Sequence, residues 1–248
     1  MKAVIIGGAG LIGSKVAKIL TDGGHQVIAA SRRNGIDSVT GAGLAEALKG
    51  ADVVVDVPNS PSFEEEAVLE FFTKSSTNIT REAKKAGVKH VVALSIVGVD
   101  RVPTNGYFRA KVAQEEIIKK SGVPYTIVRA TQFLEFLDAI AYTSTQGDVV
   151  TVSTAYLQPI AADDVAKFIA DAAVAEARNE TIDIAGPEAF HTNEIIQKYL
   201  AKNGDGRTVV GDPEAGYFGS KLEPNSLIPV GGTPKLGSIT FDAWVSAT

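Results

Sequence analysis

A short apolar segment followed at once by three evenly spaced glycines constrains the fold of this chain more than any other feature. Residues 3–6 are wholly apolar, as in a strand that is covered on both faces of a parallel sheet. Gly7, Gly10 and Gly13 follow, and residues 11–20 have the spacing of an amphipathic helix. This order predicts a dinucleotide site, the alternative being an ordinary glycine-rich turn without a ligand.

Each glycine of the turn has its own physical reason in a dinucleotide site. Gly7 permits the tight turn, and Gly10 lets the backbone approach a pyrophosphate without an intervening Cβ. Gly13 lets the helix pack close to the strand. The helix N-terminus supplies free N–H groups and the positive end of its dipole to the anion.

The residues after the second predicted strand, 26–30, indicate which dinucleotide binds. A site for NAD usually has an Asp or Glu here, which holds the ribose 2′-hydroxyl. This chain has Ser31, Arg32 and Arg33 instead. Guanidinium groups suit a 2′-phosphate, which they bind bidentately. The sequence therefore predicts NADP(H), the alternative being a solvated basic loop.

Strands and helices alternate through the first two thirds of the chain. Right-handed crossovers then build a Rossmann-type, doubly wound parallel sheet with helices on both faces, an α/β fold. Pro58 and Asn59 end the third strand at the carboxyl edge of the sheet, where ligands of such folds lie. The predicted elements that carry this pattern are strands at 53–57, 89–97 and 123–129 and helices at 63–86 and 107–121.

The pattern loosens after residue 147, and no linker separates a second independent domain. We expect one domain, 1–248, with a Rossmann core over about 1–150 and a small C-terminal substrate lobe over about 151–248, interleaved with the core. Within this stretch we expect a helix that begins at 131–133, a short strand at 157–160 and a helix at 163–175. Asp163 or Asp164 is expected to be the N-cap of that last helix.

Composition excludes several classes of function. A net charge of −5 gives no reason to expect nucleic acid as a partner. The chain has no Cys, and its three His are scattered, so we expect no metal site. No apolar run is long enough for a membrane span, and the N-terminus enters a core strand too soon for a signal peptide. We therefore expect a cytoplasmic protein.

Three polar residues near the predicted ligand edge suit carbonyl reduction. Tyr107 and Lys111 are one helical turn apart, so an ammonium group could lower the pKa of the phenol and also hold the nicotinamide ribose. Ser95 ends the preceding strand and could hold a substrate carbonyl oxygen beside the phenol. The alternatives are a strand-end hydroxyl that caps a turn and a tyrosine that packs at a helix start.

The segments GGAGLIG and PYTIVRATQF and the series Ser95, Tyr107, Lys111 resemble the NmrA-like, atypical branch of the short-chain dehydrogenase/reductase superfamily. The resemblance covers most of the chain, firmly to about Ile169. It implies that Val57, Pro58 and Asn59 form the loop over the cofactor and that Lys111 binds its ribose. The remaining residues that it implies for NADP(H) are Gly7, Gly10, Leu11, Ile12, Ser31, Arg32 and Arg33.

Two functions follow from these observations. The first is an NADPH-dependent oxidoreductase that reduces a small carbonyl, quinone or conjugated apolar substrate, with Tyr107 as the proton donor. The second is a regulatory protein that binds NADP(H) without turnover, as many NmrA-like proteins that lack the tyrosine do. Gln132, Phe133 and Phe136 are candidates for substrate binding, although helix packing explains them equally well. A homodimer is compatible with the exposed faces of the long helices.

Overall fold

The computed structural model of this protein describes residues 1–247. Strand β1, Lys2–Ile6, is followed by helix α1, Leu11–Asp22, as the sequence predicts. Four residues of the strand are buried, and the helix turns its buried residues Ile12, Val16 and Leu20 inward. The residues that are buried in β1 and α1 are therefore those that the apolar run and the helical spacing predict.

Twelve strands and eight α-helices are found in residues 1–247. The strands are β1, β2 Gln26–Ala30, β3 Val53–Asp56, β4 His90–Ile96, β5 Tyr125–Ala130, β6 Thr145–Gln146, β7 Val149–Val152, β8 Tyr156–Leu157, β9 Glu180–Ala185, β10 Phe190–His191, β11 Thr208–Gly211 and β12 Lys235–Leu236. The helices are α1, α2 Leu44–Leu48, α3 Glu65–Ala86, α4 Gly106–Lys120, α5 Leu137–Thr143, α6 Ala162–Val174, α7 Thr192–Lys202 and α8 Phe241–Ala247. Short 3₁₀ turns cover Arg32–Asn34 and Leu134–Phe136.

The main sheet is parallel, has seven strands in the order β12-β9-β5-β4-β3-β1-β2, and carries helices on both sides. This confirms the Rossmann-type fold. The chain moves from β1 to β2 on one side and then returns to place β3 on the other side of β1. Such a reversal opens a crevice beyond the carboxyl ends of β1 and β3, where doubly wound folds bind their ligands.

The centre of the sheet is apolar and fully covered. Val53, Val54 and Val55 of β3 are at most 1% exposed. Strands that are buried on both faces are continuous apolar runs, which is what β1 and β3 are. Asp56 is the exception: it ends β3 opposite Ile6 and is only 1% exposed. A carboxylate is therefore built into the core directly below the carboxyl edge.

The chain divides into two compact units whose segments alternate along the sequence. The first consists of Met1–Ser95, Gly106–Arg129 and Val165–Ile182. The second consists of Ile96–Asn105, Ala130–Asp164 and Asp183–Thr248. In the first unit, α3 packs against α4. The second contains the three-stranded sheet β11-β7-β6 and the pair β10-β8. The predicted boundary near residue 150 stays a prediction.

Three element predictions in the second unit are wrong. The helix expected at 131–133 starts only with the 3₁₀ turn at Leu134, because the backbone of residues 132–134 pairs with Ile160: Ile160 donates to the Gln132 carbonyl and Leu134 to the Ile160 carbonyl. The strand expected at 157–160 is Tyr156–Leu157.

The N-cap prediction for α6 is also wrong, since the helix already begins at Ala162. The Glu135 carboxylate accepts a hydrogen bond from the Ala162 N–H at 3.1 Å. Asp163 and Asp164 therefore lie in the first turn. The Asp164 carboxylate accepts hydrogen bonds from the N–H groups of Ser238 and Ile239, each at 2.9 Å, and so holds the C-terminal segment.

No helix within residues 1–247 is long and apolar enough to cross a membrane.

Candidate cofactor and active site

The glycine turn is built as a dinucleotide site requires. Gly7 has φ +81°, and a Cβ atom there would lie 2.7 Å from Cα of Pro58. A Cβ atom on Gly13 would overlap the carbonyl oxygen of Gly7. A Cβ atom on Gly10 would meet only that same oxygen, at 3.3 Å. Gly7 and Gly13 are thus required by the fold, whereas at Gly10 the surrounding chain leaves room beside the backbone.

The N-terminus of α1 has no side-chain cap and no acidic residue in its first turn. Gly10 is the N-cap residue, so no side chain competes for the N–H groups of Leu11, Ile12 and Gly13. These donors and the helix dipole attract an anion, and the open backbone at Gly10 admits it. The residues present therefore fit a dinucleotide pyrophosphate.

The turn after β2 is held by a residue that the sequence analysis overlooked. The Asn34 carboxamide oxygen accepts the N–H of Ser31 at 2.8 Å and its hydroxyl at 3.2 Å. The Asn34 amide nitrogen donates to the carbonyl of Ala29 at 2.7 Å. The sequence signal that could have identified Asn34 is a Ser followed, three residues later, by a side chain able to cap the turn. Arg32 and Arg33 are exposed, and within residues 1–247 neither has an ion-pair partner. Two guanidinium groups are thus open to solvent at the strand end.

The loop after β3 lies against the glycine turn. The Val57 N–H donates to the carbonyl of Ile6 at 3.1 Å, and Pro58 is the neighbour that a Cβ on Gly7 would strike. Asn59 is exposed, and its carboxamide oxygen accepts the Ser60 N–H at 2.9 Å. The same oxygen accepts the hydroxyl of Tyr107 at 2.8 Å. The structure thus brings Tyr107 to the loop of the predicted cofactor site.

Tyr107 is a neutral hydrogen-bond donor in this site. Its ring packs edge-on against Phe72, with centroids 5.7 Å apart, and lies 6.1 Å from the ring of Phe63. Burial raises the pKa of Tyr107 above its ordinary value, so the phenol keeps its proton at neutral pH. The expected lowering of this pKa by Lys111 is not found, because the ammonium group is engaged elsewhere.

Lys111 is buried, with 5% of its surface exposed. Its ammonium group donates to the carbonyl of Leu94 at 2.7 Å and to the Gln114 carboxamide oxygen. It also lies 4.5 Å from the centroid of the Phe72 ring, a cation–π contact. Burial lowers the pKa of Lys111 to about 8. Tyr107 and Lys111 therefore share Phe72 as a neighbour without a hydrogen bond between them.

Ser95 belongs to a separate buried network. Its hydroxyl donates to Oε1 of Glu115 at 2.6 Å, and Arg129 binds both oxygens of that carboxylate at 2.8 Å. Ser95 is 3% exposed and Glu115 2%. Within residues 1–247, neither Ser95 nor Lys111 is hydrogen-bonded to the Tyr107 hydroxyl. The structure does not bring the three predicted catalytic groups into direct contact.

The predicted substrate residues lie in the second compact unit. The rings of Phe133 and Phe136 are stacked with centroids 5.1 Å apart, and Phe136 is 43% exposed. Gln132 is 6% exposed, and its Oε1 has no hydrogen-bond partner among the described residues. Their assignment to a substrate stays a prediction.

Comparison with known proteins places this geometry in context. A family model described as NAD(P)H-binding matches residues 7–176. The chain is 24% identical over 233 residues to the photosystem II assembly factor Ycf39 of Synechocystis, covering 87% of this chain and 72% of the relative. The Ycf39 of Cyanophora paradoxa is also 24% identical, over 236 residues, covering 87% and 73%.

Two solved structures with bound dinucleotides have the same fold. A short-chain dehydrogenase/reductase superfamily protein from Agrobacterium tumefaciens with bound NAD has a TM-score of 0.74 at 17% identity, covering 100% of this chain and 95% of that one. A dTDP-4-dehydrorhamnose reductase from Bacillus anthracis in complex with NADP has a TM-score of 0.71 at 15% identity, covering 85% and 84%. Both dinucleotides therefore occur on this fold.

Proposed function

The chain belongs to the NAD(P)H-binding family, and we propose that it is an NADPH-dependent oxidoreductase that reduces a small carbonyl, quinone or conjugated apolar substrate. Membership in the family confirms the resemblance read from the motifs. One observation carries the proposed activity. The half-buried Tyr107 is protonated at neutral pH, and its hydroxyl donates a hydrogen bond to Asn59, beside the glycine turn. A proton donor thus stands at the predicted cofactor site.

NADPH, rather than NADH, is the proposed cofactor because of the turn after β2. The exposed guanidinium groups of Arg32 and Arg33 are suited to a 2′-phosphate, and no acidic residue stands at the strand end to hold a 2′-hydroxyl. When bound, NADPH would supply a hydride. The N–H groups of α1 would hold its pyrophosphate, and Lys111 would hold its ribose.

The role proposed for Tyr107 is that of general acid. Reduction of a carbonyl leaves negative charge on the oxygen, and the protonated phenol of Tyr107 can donate its proton to that oxygen. Asn59 orients the hydroxyl by accepting its hydrogen bond, and a substrate oxygen would take over that bond. The homodimer and the cytoplasmic location expected from the sequence stay predictions.

Substitution of Tyr107 by Phe tests the proposal. The change removes only the hydroxyl, so we expect consumption of NADPH with a panel of quinones and aromatic ketones to fall by about 10²- to 10⁴-fold. The Kd for NADPH should stay within about twofold of wild type, because uniform binding is not altered. Tyr142→Phe, at an exposed tyrosine of the second unit, is the matched control. Turnover by Tyr107→Phe at the wild-type rate would remove Tyr107 from the mechanism.

A second candidate function is a dinucleotide-responsive binding protein that does not turn NADP(H) over. The observation that favours it is the engagement of the Ser95 hydroxyl by Glu115, which leaves Tyr107 without a neighbouring catalytic serine. The curated relatives are named as assembly factors, which also supports a role in protein association. This candidate predicts tight NADPH binding, no consumption with any substrate, and partner capture that differs with and without the dinucleotide.

A further inference from the structure

Asp56 is a charged residue in a place that the sequence leads one to expect apolar. It follows three valines in β3, and 1% of its surface is exposed. Burial raises the pKa of Asp56, so an opposite charge and a hydrogen bond are needed to favour its ionised form. The neighbours of Asp56 must therefore supply the hydrogen bond and the positive charge that stabilise its carboxylate in the core.

Those partners lie on α4. The Gln114 amide nitrogen donates to Oδ2 of Asp56 at 2.8 Å, and the Gln114 carboxamide oxygen accepts the Lys111 ammonium group. Gln114 is itself 1% exposed. A carboxamide presents a donor and an acceptor in fixed positions, so a cation on one side and an anion on the other determine its orientation. The result is a buried bridge that joins Asp56, Gln114 and Lys111.

We propose that Asp56 and Gln114 are positioning residues for Lys111: Asp56 supplies the charge that keeps the buried amine protonated, and Gln114 holds it in place. The inference rests on the proposed function only where it assigns Lys111 to the cofactor ribose. The bridge itself is a property of the folded chain and is testable without any cofactor.

Glu115 is a second source of negative charge, but its contribution to the pKa of Lys111 is smaller than that of Asp56. Arg129 binds both of its oxygens, Ser95 donates to one of them, and Lys119 lies 3.2 Å from the other. The Glu115 charge is thus compensated mainly by Arg129.

Asp56, in contrast, has Gln114 as its one hydrogen-bond partner within residues 1–247, and its Oδ1 has none. Among residues 1–247 no cation forms an ion pair with it, and Lys111 is the cation that lowers its pKa. The other titratable groups near Lys111 are Glu115 and the neutral phenol of Tyr107. Burial lowers the pKa of Lys111, while Asp56 and Glu115 oppose that lowering, which agrees with the bridge.

The amine of Lys111 in the cofactor-free protein is the first thing to measure. NMR titration of ¹³C,¹⁵N-labelled lysine, with the signal assigned by Lys111→Arg, reports its pKa directly. Asp56→Asn keeps the shape and the acceptor for Gln114 but removes the charge, so the pKa of Lys111 should fall by about one unit or more. Gln114→Glu places a carboxylate beside the amine and should raise that pKa.

Asp52→Asn is the matched control, because Asp52 precedes the same strand but binds Lys89 and the N–H of Lys2. It should leave the pKa of Lys111 unchanged. An unchanged Lys111 pKa in Asp56→Asn would overturn the inference, since Asp56 would then already be neutral. A shift as large in Asp52→Asn would overturn it too, because the effect would be one of net charge alone.

A second readout separates this inference from the proposed function. The Kd of wild-type protein for NADPH is measured across the pH range in which Lys111 titrates, and again for Asp56→Asn. Loss of affinity that follows the pKa of Lys111 in each protein supports both the bridge and the ribose assignment. If the pKa of Lys111 shifts as predicted but the Kd for NADPH does not follow it, the bridge is supported and the ribose assignment is refuted.

Discussion

Two alanine substitutions in the glycine turn should separate cofactor binding from stability. Gly10 has φ −83° and ψ 178°, a conformation that alanine adopts without strain. Its Cβ would meet only the Gly7 oxygen, at 3.3 Å. Gly10→Ala should therefore fold normally, and restriction of the unfolded chain could add about 0.4–1 kcal/mol of stability.

The new methyl group of Gly10→Ala would stand where we propose that the pyrophosphate approaches the backbone. Loss of one charge-assisted hydrogen bond, worth about 1.5–3 kcal/mol, weakens binding by about 10- to 150-fold. We expect that loss for NADPH and NADH alike, because both contain the pyrophosphate. Fluorescence titration of each dinucleotide measures it.

Gly13→Ala should act mainly on stability, whereas Gly10→Ala should act mainly on dinucleotide affinity. Its Cβ would overlap the Gly7 oxygen, so the first turn of α1 has to move away from β1. Overpacking of this kind costs about 1–3 kcal/mol, or several degrees of Tm for a chain of this size. Gly206→Ala is the control, since its Cβ would meet nothing within 4 Å. Wild-type NADPH affinity in Gly10→Ala, or wild-type Tm in Gly13→Ala, would refute the reasoning.

Two further substitutions test the rest of the site. The double variant Arg32→Ala, Arg33→Ala should lose about tenfold or more in NADPH affinity and none in NADH affinity by titration; equal losses would contradict a 2′-phosphate contact. Glu115→Gln should cost about 1.5–3 kcal/mol in urea unfolding at neutral pH, because it removes the charge from the buried carboxylate that Arg129 and Ser95 hydrogen-bond. Burial alone would raise the pKa of Glu115, but hydrogen bonds from Arg129 and Ser95 outweigh it and lower the pKa. Wild-type stability from this group is thus full above the unfolded pKa of about 4.3 and is lost as the pH falls through the folded value. The unfolding free energy of Glu115→Gln should lack this dependence on acid pH. The same slope against pH as in wild type would contradict the role given to Glu115.

The features that the sequence predicts well are those set by neighbours along the chain. The apolar run before Gly7, the turn and α1 are adjacent, so their spacing alone identifies the unit. Strand β2 ends at Ala30, directly before Ser31, as the local sequence predicts. The helix expected at 131–133 failed because Ile160, distant in sequence, holds that backbone extended.

The contacts of the predicted catalytic groups could not be read in the same way. The partner of Ser95 is Glu115, which is on α4, and its counter-ion Arg129 is on β5. Nothing in the spacing of these residues marks them as a network. Asp56 did leave a signal, since a carboxylate that follows three valines at the end of a buried strand requires a partner. The identity of that partner depended on how α4 packs over the sheet.

The most direct test of the account is an equilibrium titration of the wild-type protein with NADPH and NADH, followed by the nicotinamide absorbance after addition of quinones and aromatic ketones. We predict tighter binding of NADPH than of NADH and substrate-dependent loss of the absorbance. Tighter binding of NADH, or saturation with NADPH and no loss of absorbance with any substrate, would contradict it.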